Sequence, residues 1–370
     1  MATDTPKYYL NAPYQDITIS LKSADISTDV INLVITIKPC WKGKSLKTKL
    51  FTDGISNKLI GCYHGDKISA GNCVIVRING FGTDKIIDRD NEIKTFNILS
   101  SIKCLNSSKL LTVFVNGLCY EYLDGDVLDE NNVRDPHIAK LIAKQMANMH
   151  NLCKRIPTPI TAEYGINIAK FLANMPKGFA DSYKQKLFEK FPKISVLESE
   201  INIITSAIEK LNLPLVLCHN DLLLANILYD KYTDSIKFID FEYSAFNYNC
   251  YDIGNHFAEY AGINEVDYSR YPDKEYQLEW LRNYLEQVYF LQSKDPKTIT
   301  DAELQTLYIG VNLSSLAAHL YWTLWSIYQA SNSTIDFDFL AYGKLRIDEY
   351  MSKKNLSLVL LQTVDKHENY

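Results

Sequence analysis

Three side chains that carry hard oxygen atoms stand at short, fixed intervals in one segment of the sequence. Asp221 lies in a short polar loop after an apolar run, Asn226 follows five residues later, and Asp240 comes nineteen residues after Asp221. A loop carboxylate can orient a hydroxyl and take its proton, while an amide and a second carboxylate supply oxygen ligands for metal ions that bridge phosphates. The pattern therefore predicts metal-dependent phosphoryl transfer, with Asp221 as catalytic base and Asn226 and Asp240 as metal ligands.

Protein kinases place the same groups in a catalytic loop, H-R-D-x-x-x-x-N, that precedes a D-F-G segment. Here the loop contains His219, Asn220 and Asp221, the step to Asn226 has the same length, and Asp240-Phe241-Glu242 follows. A surface aspartate and an asparagine in a turn would explain either segment alone. Both together, each beside an apolar strand, favour a kinase, with His219 orienting the loop rather than transferring protons.

A nucleotide site is expected in the first third of the chain. Residues 74–77, VIVR, occupy the place of the kinase V-A-I-K segment, with Arg77 in place of the lysine. Arginine stays cationic and can contact phosphate through two N–H groups. Glu92 opens the following helical segment and is expected to pair with Arg77, although a surface ion pair would have the same pattern.

The turn that covers the phosphates is expected within residues 51–61, which contain two glycines but no G-x-G-x-x-G motif. Ser56 and Asn57 are candidate phosphate contacts together with backbone amides. A plain hairpin turn explains this segment equally well. The adenine ring is expected at the backbone near Glu121 and Tyr122, at the end of the strand-rich part of the chain.

Hydrophobic periodicity predicts an α+β chain with two lobes. An antiparallel β-sheet lobe that binds nucleotide is expected over residues 1–123, with an N-terminal extension over 1–22. A mainly helical catalytic and substrate-binding lobe is expected over 124–370. The predicted strands cover residues 16–21, 59–65, 72–80 and two runs in 110–123 joined at Asn116–Gly117, and the predicted helices cover 28–37, 91–102 and 137–150.

The composition argues against several other classes of protein. The chain has 370 residues, a net charge of −5 and no block of lysine and arginine, so a nucleic-acid partner is not expected. Its eight cysteines form no C-x-x-C pair, which argues against a zinc or redox motif. The first residues lack a signal-peptide pattern, and reduced thiols suit the cytoplasm. The uncharged stretch 304–335 contains polar residues that are costly in lipid, so it is predicted as a buried helix and no membrane span is expected.

With these residues in place, the sequence resembles the choline/ethanolamine kinase family from about residue 51 to about residue 350. The most specific segments are CHND…N (218–226), IDFEYS (239–244), YDIGNHFAEY (251–260) and LYWTLWSIYQ (320–329). The resemblance implies a protein-kinase-like fold, ATP as co-substrate, Mg²⁺ as cofactor and a role at the start of phospholipid head-group synthesis. It also implies Asp221 as catalytic base, Asn226 and Asp240 as metal ligands, and Arg77 as a phosphate contact.

Within the family, the chain resembles the ethanolamine branch more than the choline branch. The segments that resemble the ethanolamine branch are FTDGISNKLIGCY (51–63), NGLCYEYLDG (116–125), HNDLLLANI (219–227), VDYSRYPDKEYQ (266–277) and STIDFDFLAY (333–342). Leu223 stands where choline kinases tend to carry glutamine, and residues 261–264 replace an aromatic stretch. The implied reaction is the phosphorylation of ethanolamine to phosphoethanolamine, the first step of phosphatidylethanolamine synthesis.

The cationic end of an amino-alcohol needs its own site. Trp322 and Trp325 are three residues apart on a predicted helix and share a face, and aromatic faces attract ammonium groups. A primary ammonium also has three N–H donors and therefore needs carboxylates. Core packing would explain the Trp pair outside this context, and Asp252 has an alternative role in tying down the catalytic loop. The candidate substrate-binding residues are Glu242, Asp252, Glu259, Trp322, Trp325 and Tyr342.

Other functions share part of this pattern. A choline kinase or a dual-specificity enzyme would carry most of the same residues. A pseudokinase that only binds nucleotide is disfavoured because Asp221, Asn226 and Asp240 are all present. An antibiotic-type phosphotransferase of similar fold is disfavoured by the Trp pair and by the NHF-x-E segment at 255–259. Members of the family often form homodimers, so a homodimer is a further expectation.

Overall fold

The computed structural model describes residues 13–20, 25–51, 57–80, 82–102, 105, 107–152 and 161–361. The chain divides into two compact units, Met1–Asp126 with Ser333–Phe337, and Val127–Asn332 with Asp338–Tyr370. Strands dominate the described part of the first unit, and helices dominate that of the second. This is the distribution that the hydrophobic periodicity predicts.

The first unit is built on a six-stranded sheet. In chain order the strands are β1 (Tyr14–Gln15), β2 (Leu46–Phe51), β3 (Lys58–His64), β4 (Cys73–Ile78), β5 (Leu110–Phe114) and β6 (Gly117–Glu121). Their spatial order is β1-β5-β6-β4-β3-β2. Every neighbouring pair is antiparallel except β1, which pairs with β5 in parallel. The sheet is therefore antiparallel, as predicted, apart from this short edge strand.

The segment after β1 differs from its prediction. The sequence predicts a strand over residues 16–21, but within the described residues 16–20 the chain has no strand. Ile19 instead donates its N–H to Oδ1 of Asn116 at 3.1 Å and accepts Nδ2 of the same side chain at 2.8 Å. The carbonyl oxygen of Ile17 accepts the N–H of Val115 at 3.1 Å. The prediction is wrong because the backbone of Ile19 then bonds to a side-chain amide and no ladder of strand hydrogen bonds continues.

The hairpin between β5 and β6 turns one residue earlier than predicted. Phe114 pairs with Gly117, so Val115 and Asn116 form the turn and Gly117 already belongs to β6. A Cβ atom on Gly117 would lie 2.1 Å from the carbonyl oxygen of Arg77. The glycine is therefore required by the close approach of β6 to β4, the strand that carries Arg77.

Two helices complete the first unit, and both agree with the predicted positions. α1 (Ile26–Ile37) begins after Asp25, whose carboxylate accepts the N–H of Thr28. α2 (Arg89–Ser100) begins after Asp88, whose carboxylate accepts the N–H of Asn91 at 3.0 Å. Glu92 lies in the first turn of α2 and is buried.

Helices make up most of the second unit. They are α3 (Pro136–His150), α4 (Tyr164–Ala173), α5 (Ser182–Phe188), α6 (Ile194–Glu209), α7 (Asn249–Ala258), α8 (Lys274–Leu291), α9 (Asp301–Asn332) and α10 (Phe339–Leu361). α3 begins one residue before the predicted helix, with Pro136 in its first turn and Asp135 as its cap. The Asp135 carboxylate accepts the N–H groups of His137 at 2.9 Å and Ile138 at 3.1 Å.

The uncharged stretch lies mostly in α9, whose side chains are largely buried between Leu304 and Ala330. α7 approaches this helix closely at Gly254, where a Cβ atom would lie 2.5 Å from the carbonyl oxygen of Val311 and 2.7 Å from the N atom of Ser315. The prediction of a buried helix is confirmed. None of the helices in the described ranges is both long and apolar enough to cross a bilayer.

Short strands complete the fold and frame two loops. β7 (Asp126–Val127) is followed in the second unit by β8 (Leu215–Cys218), β9 (Ile227–Asp230), β10 (Ser235–Phe238) and β11 (Ala245–Tyr248). β8 pairs with β11 and β9 pairs with β10, both antiparallel. Loop 219–226 runs from β8 to β9, and loop 239–244 runs from β10 to β11. The N–H of Ile239 donates to the carbonyl oxygen of Asn226 at 3.0 Å, which joins the two loops.

Candidate active site

A buried carboxylate on α7 holds the loop that carries Asp221. Asp252 accepts the N–H of His219 at Oδ2 and the N–H of Asn220 at Oδ1, both at 2.8 Å. The Nε2 atom of His150, the last residue of α3, lies 2.9 Å from the same Oδ2. Burial would raise the pKa of Asp252, but the hydrogen bonds from His150 and from the loop outweigh burial and lower it. The carboxylate is therefore ionised at neutral pH and anchors the loop.

Further hydrogen bonds join this loop to the second one. Asn220 donates from Nδ2 to the carbonyl oxygen of Tyr243 at 3.0 Å, and Nε2 of His219 lies 2.9 Å from the carbonyl oxygen of Ile239. Asn220 and Asp240 have φ angles of 64° and 63°, a conformation that asparagine and aspartate adopt more readily than most residues. The fold thus fixes both loops by contacts within the protein itself.

Asp221 lies in strongly acidic surroundings. Its relative exposure is 8 %, and its pKa is raised well above 3.8, first by burial and then by the negative charges of Glu259, Asp240 and Glu242. Arg346 opposes this shift. Since these carboxylates outnumber the guanidinium, the site favours a bound cation.

Asn226 is oriented by the loop that it closes. Its Nδ2 donates to the carbonyl oxygen of Asp221 at 2.8 Å. The amino end of the amide is used in this contact, so Oδ1 is the end that can bind a metal ion. Together with the carboxylate of Asp240, it offers the hard oxygen donors that Mg²⁺ prefers.

Glu259 is paired with a cation from α10. It forms an ion pair with Arg346, and both side chains are buried. Nε of Arg346 also donates to the hydroxyl oxygen of Tyr342 at 2.9 Å. The structure therefore brings the predicted residues Glu259 and Tyr342 together through a third residue that orients both.

Trp322 and Trp325 lie on α9, and both are buried. Nε1 of Trp322 donates to Oδ1 of Asn255 at 2.7 Å, and Nε1 of Trp325 donates to the hydroxyl of Tyr243 at 2.8 Å. The two indole rings meet edge to face with centroids 5.5 Å apart, and Trp322 meets Tyr243 in the same way at 5.5 Å. Because the indole N–H groups are used, ring surface is what remains to attract an ammonium group.

The three carboxylates among the predicted substrate-binding residues fall into two groups. Glu242 and Glu259 both act electrostatically on Asp221. Asp252 is different, because it is fully buried and both of its oxygens accept hydrogen bonds from the loop. We therefore assign Asp252 to positioning of the catalytic loop, the alternative role that the sequence leaves open, instead of substrate binding.

In the first unit, Arg77 on β4 and Glu92 on α2 form the expected pair. Nη2 of Arg77 lies 2.5 Å from Oε1 of Glu92, and Arg77 has a relative exposure of 1 %. Arg89 joins them, with Nη1 at 2.8 Å from Oε2 of Glu92. Burial alone would raise the pKa of Glu92, but the two guanidinium groups outweigh it and lower the pKa. Arg89 is a member of this cluster that sequence reasoning missed.

The turn predicted to cover the phosphates lies only partly within the described residues. Ser56 lies outside the described residues. Asn57 is buried, and its Oδ1 accepts the N–H of Gly80 at 3.2 Å. This contact links the end of the turn to the residues that follow β4.

The segment expected to meet adenine is the end of β6. The N–H of Glu121 donates to the carbonyl oxygen of Lys109 at 3.0 Å, so an adenine ring would use other backbone groups here. Tyr122 stacks against Phe51, with ring centroids 6.3 Å apart and planes inclined by 24°. Burial raises the pKa of Tyr122.

Two residues of the second unit that contact Glu259 and Asp252, Arg346 and His150, were not predicted from the sequence. Arg346 stands four residues after Tyr342, so the two share a helix face, and this spacing is a signal that could have identified it. His150 ends the amphipathic helix α3 beside buried apolar residues. No local pattern connects it with Asp252, 102 residues away, so the tertiary structure alone identifies its role.

Sequence comparisons with known proteins point to one family. The sequence profile described as Choline/ethanolamine kinase matches residues 48–351. Ethanolamine kinase 1 of Mus musculus is 40% identical over 92% of this chain and 93% of its own length. Ethanolamine kinase 2 of Homo sapiens is 40% identical over 91% of this chain and 83% of its own length.

Solved structures give the same result for the fold. Plasmodium vivax ethanolamine kinase is 29% identical, with a TM-score of 0.75 over 90% of each chain. A choline kinase from Cryptosporidium parvum is 24% identical and has a TM-score of 0.70, covering 91% of this chain and 97% of its own. These likenesses confirm the predicted α+β, protein-kinase-like fold class.

Proposed function

Because this chain belongs to the choline/ethanolamine kinase family, we propose that it transfers the γ-phosphoryl group of ATP to the hydroxyl of ethanolamine. The products are phosphoethanolamine and ADP. The observation that carries this function is the pair of tied loops with Asp221, Asn226 and Asp240. The acceptor is supported by relatives named ethanolamine kinases that are 40% identical over more than nine tenths of the chain.

The proposed step forms one bond and breaks another. The ethanolamine oxygen bonds to the γ-phosphorus, and the bond between that phosphorus and the β–γ bridging oxygen breaks, releasing ADP. The hydroxyl proton passes to a carboxylate oxygen of Asp221 and then to solvent. Burial and neighbouring carboxylates raise the pKa of Asp221, so its ionised form is a stronger base than an exposed aspartate. Positioning and charge supply most of the catalysis in such reactions.

Mg²⁺ fits the oxygen donors of the two loops and is the proposed cofactor. Asn226 has its amino group engaged with the backbone of Asp221 at 2.8 Å, which leaves Oδ1 as the ligand atom. Asp240 supplies a carboxylate from the neighbouring loop. A divalent cation held there offsets the negative charge of the phosphates.

The nucleotide is proposed to use groups of the first unit. Arg77 is the proposed phosphate contact, and its ion pair with Glu92 at 2.5 Å fixes its position. An equivalent lysine–glutamate pair must be in place in active protein kinases. Ser56 and Asn57 are proposed further phosphate contacts, and the backbone near Glu121–Tyr122 is proposed for adenine.

The ammonium group of ethanolamine is proposed to lie among carboxylates and aromatic rings. Its three N–H donors need acceptors, and Glu242 and Glu259 are the proposed acceptors. Trp322, Trp325 and Tyr342 supply ring surface for the positive charge. The quaternary ammonium of choline has no N–H donor, so it would donate no hydrogen bond to either carboxylate. This difference favours ethanolamine over choline.

A competition assay tests the acceptor. ADP release is measured with ethanolamine and with choline, separately and as a mixture, at fixed ATP and Mg²⁺. We expect a kcat/KM at least tenfold higher for ethanolamine, because only its primary ammonium can donate hydrogen bonds to the buried carboxylates Glu242 and Glu259. A higher kcat/KM for choline would make the alternative, a choline or dual-specificity kinase, the correct function.

Matched variants test the assigned site. Asp240→Asn is expected to lower kcat at least a hundredfold without unfolding the protein. Asp301→Asn is the control, because Asp301 has a fully exposed side chain and should keep normal turnover. Retained activity in Asp240→Asn would contradict the metal-ligand role, and absence of phosphorylated product from either alcohol would contradict the amino-alcohol kinase function.

The proposed location is the cytoplasm, and the proposed assembly is a homodimer. Free cysteine thiols at positions 40, 62, 73, 119, 218 and 250 are compatible with a reducing compartment. The homodimer rests on the resemblance to the family. Light scattering coupled to size-exclusion chromatography measures the molar mass, and a value near 42.4 kDa would contradict the dimer.

A further inference from the structure

A cavity lies in the second unit on the side of the catalytic loop that faces α3 and α8. Its volume is about 570 Å³, within the range of small-molecule sites in proteins. Side chains from α3, α8 and α9 line it with the segment 213–216. Most of the lining is apolar, although several polar and charged side chains also contribute to it. The end considered below is the part of the lining formed by His150, Asn249 and Tyr284.

Asn249 leaves one polar atom unsatisfied at this end. The residue has a relative exposure of 5 %, and its Oδ1 has no hydrogen-bond partner among the described residues. A buried carbonyl oxygen without a donor costs free energy. A ligand with an N–H or O–H donor at this end would satisfy the oxygen.

The same end of the cavity is connected to the catalytic loop by hydrogen bonds. Asn249 and Tyr284 both line this end, and the hydroxyl of Tyr284 lies 2.8 Å from Nδ1 of His150. Nε2 of His150 lies 2.9 Å from Oδ2 of Asp252, which in turn holds the N–H of His219 at 2.8 Å. With Nε2 donating to the carboxylate, neutral His150 accepts the Tyr284 hydroxyl at Nδ1.

We infer that this cavity is a second small-molecule site, which binds a mainly apolar ligand with one N–H or O–H donor directed at Oδ1 of Asn249. Its occupancy changes the rate of phosphoryl transfer through Tyr284, His150 and Asp252. A ligand hydroxyl at this end competes with Nδ1 of His150 for the hydrogen bond of the Tyr284 hydroxyl. The hydrogen bond from His150 to Asp252 is then less well supported, and kcat falls. None of the residues proposed to bind ATP or ethanolamine lines the cavity, so KM values stay nearly constant.

The inference is tested first by binding, which does not depend on the proposed function. The probe is 4-phenylphenol, and its matched control is 4-methoxybiphenyl, which has the same ring system without a donor. Isothermal titration and methyl NMR on the full-length protein measure affinity and location. We expect the phenol to bind at least fivefold more tightly and to shift the methyl signals of Val288 and Leu307, which line the cavity.

Variants then separate this site from any other. Thr306 lines the cavity and is half-buried, so Thr306→Trp should fill it and weaken phenol binding at least tenfold. Thr306→Val is the control and should leave binding within twofold. Asn249→Ala should remove the preference for the phenol over the ether. Unchanged binding in Thr306→Trp, or loss of binding when ATP or ethanolamine saturates the enzyme, would overturn the assignment.

The link to catalysis has its own test. At saturating ATP and ethanolamine, bound phenol should lower kcat at least twofold with little change in either KM. Tyr284→Phe keeps the cavity but removes the hydroxyl that contacts His150, so phenol should bind this variant without a further change in kcat. A kcat that does not respond to bound phenol in the unsubstituted protein would overturn the coupling. Absence of turnover in the unsubstituted protein without phenol would instead count against the proposed function.

Discussion

Replacing Asp252 by asparagine perturbs the anchor of the catalytic loop while keeping the size of the side chain. The carboxylate receives three hydrogen bonds, from the N–H groups of His219 and Asn220 at 2.8 Å and from Nε2 of His150 at 2.9 Å. Asparagine has one acceptor oxygen, so its amino group must face a donor. A lost hydrogen bond to a charged group is worth about 1.5–3 kcal/mol, and a buried donor left unpaired costs about 1–3 kcal/mol.

Asp252→Asn is therefore expected to lower the free energy of unfolding by about 3–5 kcal/mol. If about 3 kcal/mol of this is lost from loop positioning, kcat falls by roughly a hundredfold, since about 1.4 kcal/mol corresponds to a factor of ten. KM for ethanolamine should change less than threefold, because both oxygens of Asp252 already accept hydrogen bonds from the loop. Urea unfolding followed by circular dichroism and a coupled ADP assay measure the two effects.

Two results would refute this reasoning. A tenfold or larger rise in KM for ethanolamine at unchanged kcat would mean that Asp252 binds substrate after all. Full stability and full activity would mean that the loop does not depend on the carboxylate. Asp301→Asn is the control, because its exposed side chain predicts a change within about 0.5 kcal/mol.

The pH dependence of this stabilisation has a defined sign. The pKa of Asp252 is lowered from its ordinary value of 3.8 by folding, so the unfolded chain binds the proton more tightly. The stabilisation is therefore fully present above that ordinary value and is lost as the pH falls through the lowered pKa. The stability difference between the natural protein and Asp252→Asn should shrink in this acidic range.

Three further outcomes are expected. Asp221→Asn should lower kcat at least a thousandfold but raise the free energy of unfolding by about 1 kcal/mol in urea titrations at neutral pH, because burial and then repulsion by neighbouring carboxylates raise the pKa of Asp221; a destabilised variant would contradict this. Arg346→Met should destabilise the fold by about 3–5 kcal/mol, since it leaves buried Glu259 unpaired, and the double variant with Glu259→Leu should recover most of that loss in the same titration. Trp325→Phe should lower the free energy of unfolding by about 1–2 kcal/mol through loss of the 2.8 Å hydrogen bond to Tyr243, and it should raise KM for ethanolamine. Unchanged stability and an unchanged KM would mean that this tryptophan is not part of the site.

Much of the active site could be recognised in the sequence because its spacing is local. Asp221 and Asn226 stand in one loop, and Asp240 follows one hairpin later, so the order of strands and turns already places them near each other. The helix starts at Asp25, Asp88 and Asp135 were predictable for the same reason, since a capping carboxylate bonds to residues two or three positions away. The ion pair of Arg77 and Glu92 followed from the order of a strand and a helix.

Tertiary structure decided what local spacing cannot express. The strand expected over residues 16–21 is replaced by contacts with Asn116, 97 residues from Ile19, and no periodicity in the segment itself records that partner. Hydrogen bonds between distant residues likewise decide the role of Asp252, since whether its carboxylate meets substrate or the loop depends on where α3 and α7 pack.

The sequence alone determined the class of reaction and the two-part distribution of strands and helices, and it predicted the catalytic carboxylate, because these depend on residue type and short spacing. Only the folded chain showed that His150 and Arg346 support Asp252 and Glu259. It also showed the cavity beside His150. The physical reason is that a buried charge needs a partner, and packing decides which residue that partner is. In this chain packing joins residues that lie about 90–100 positions apart.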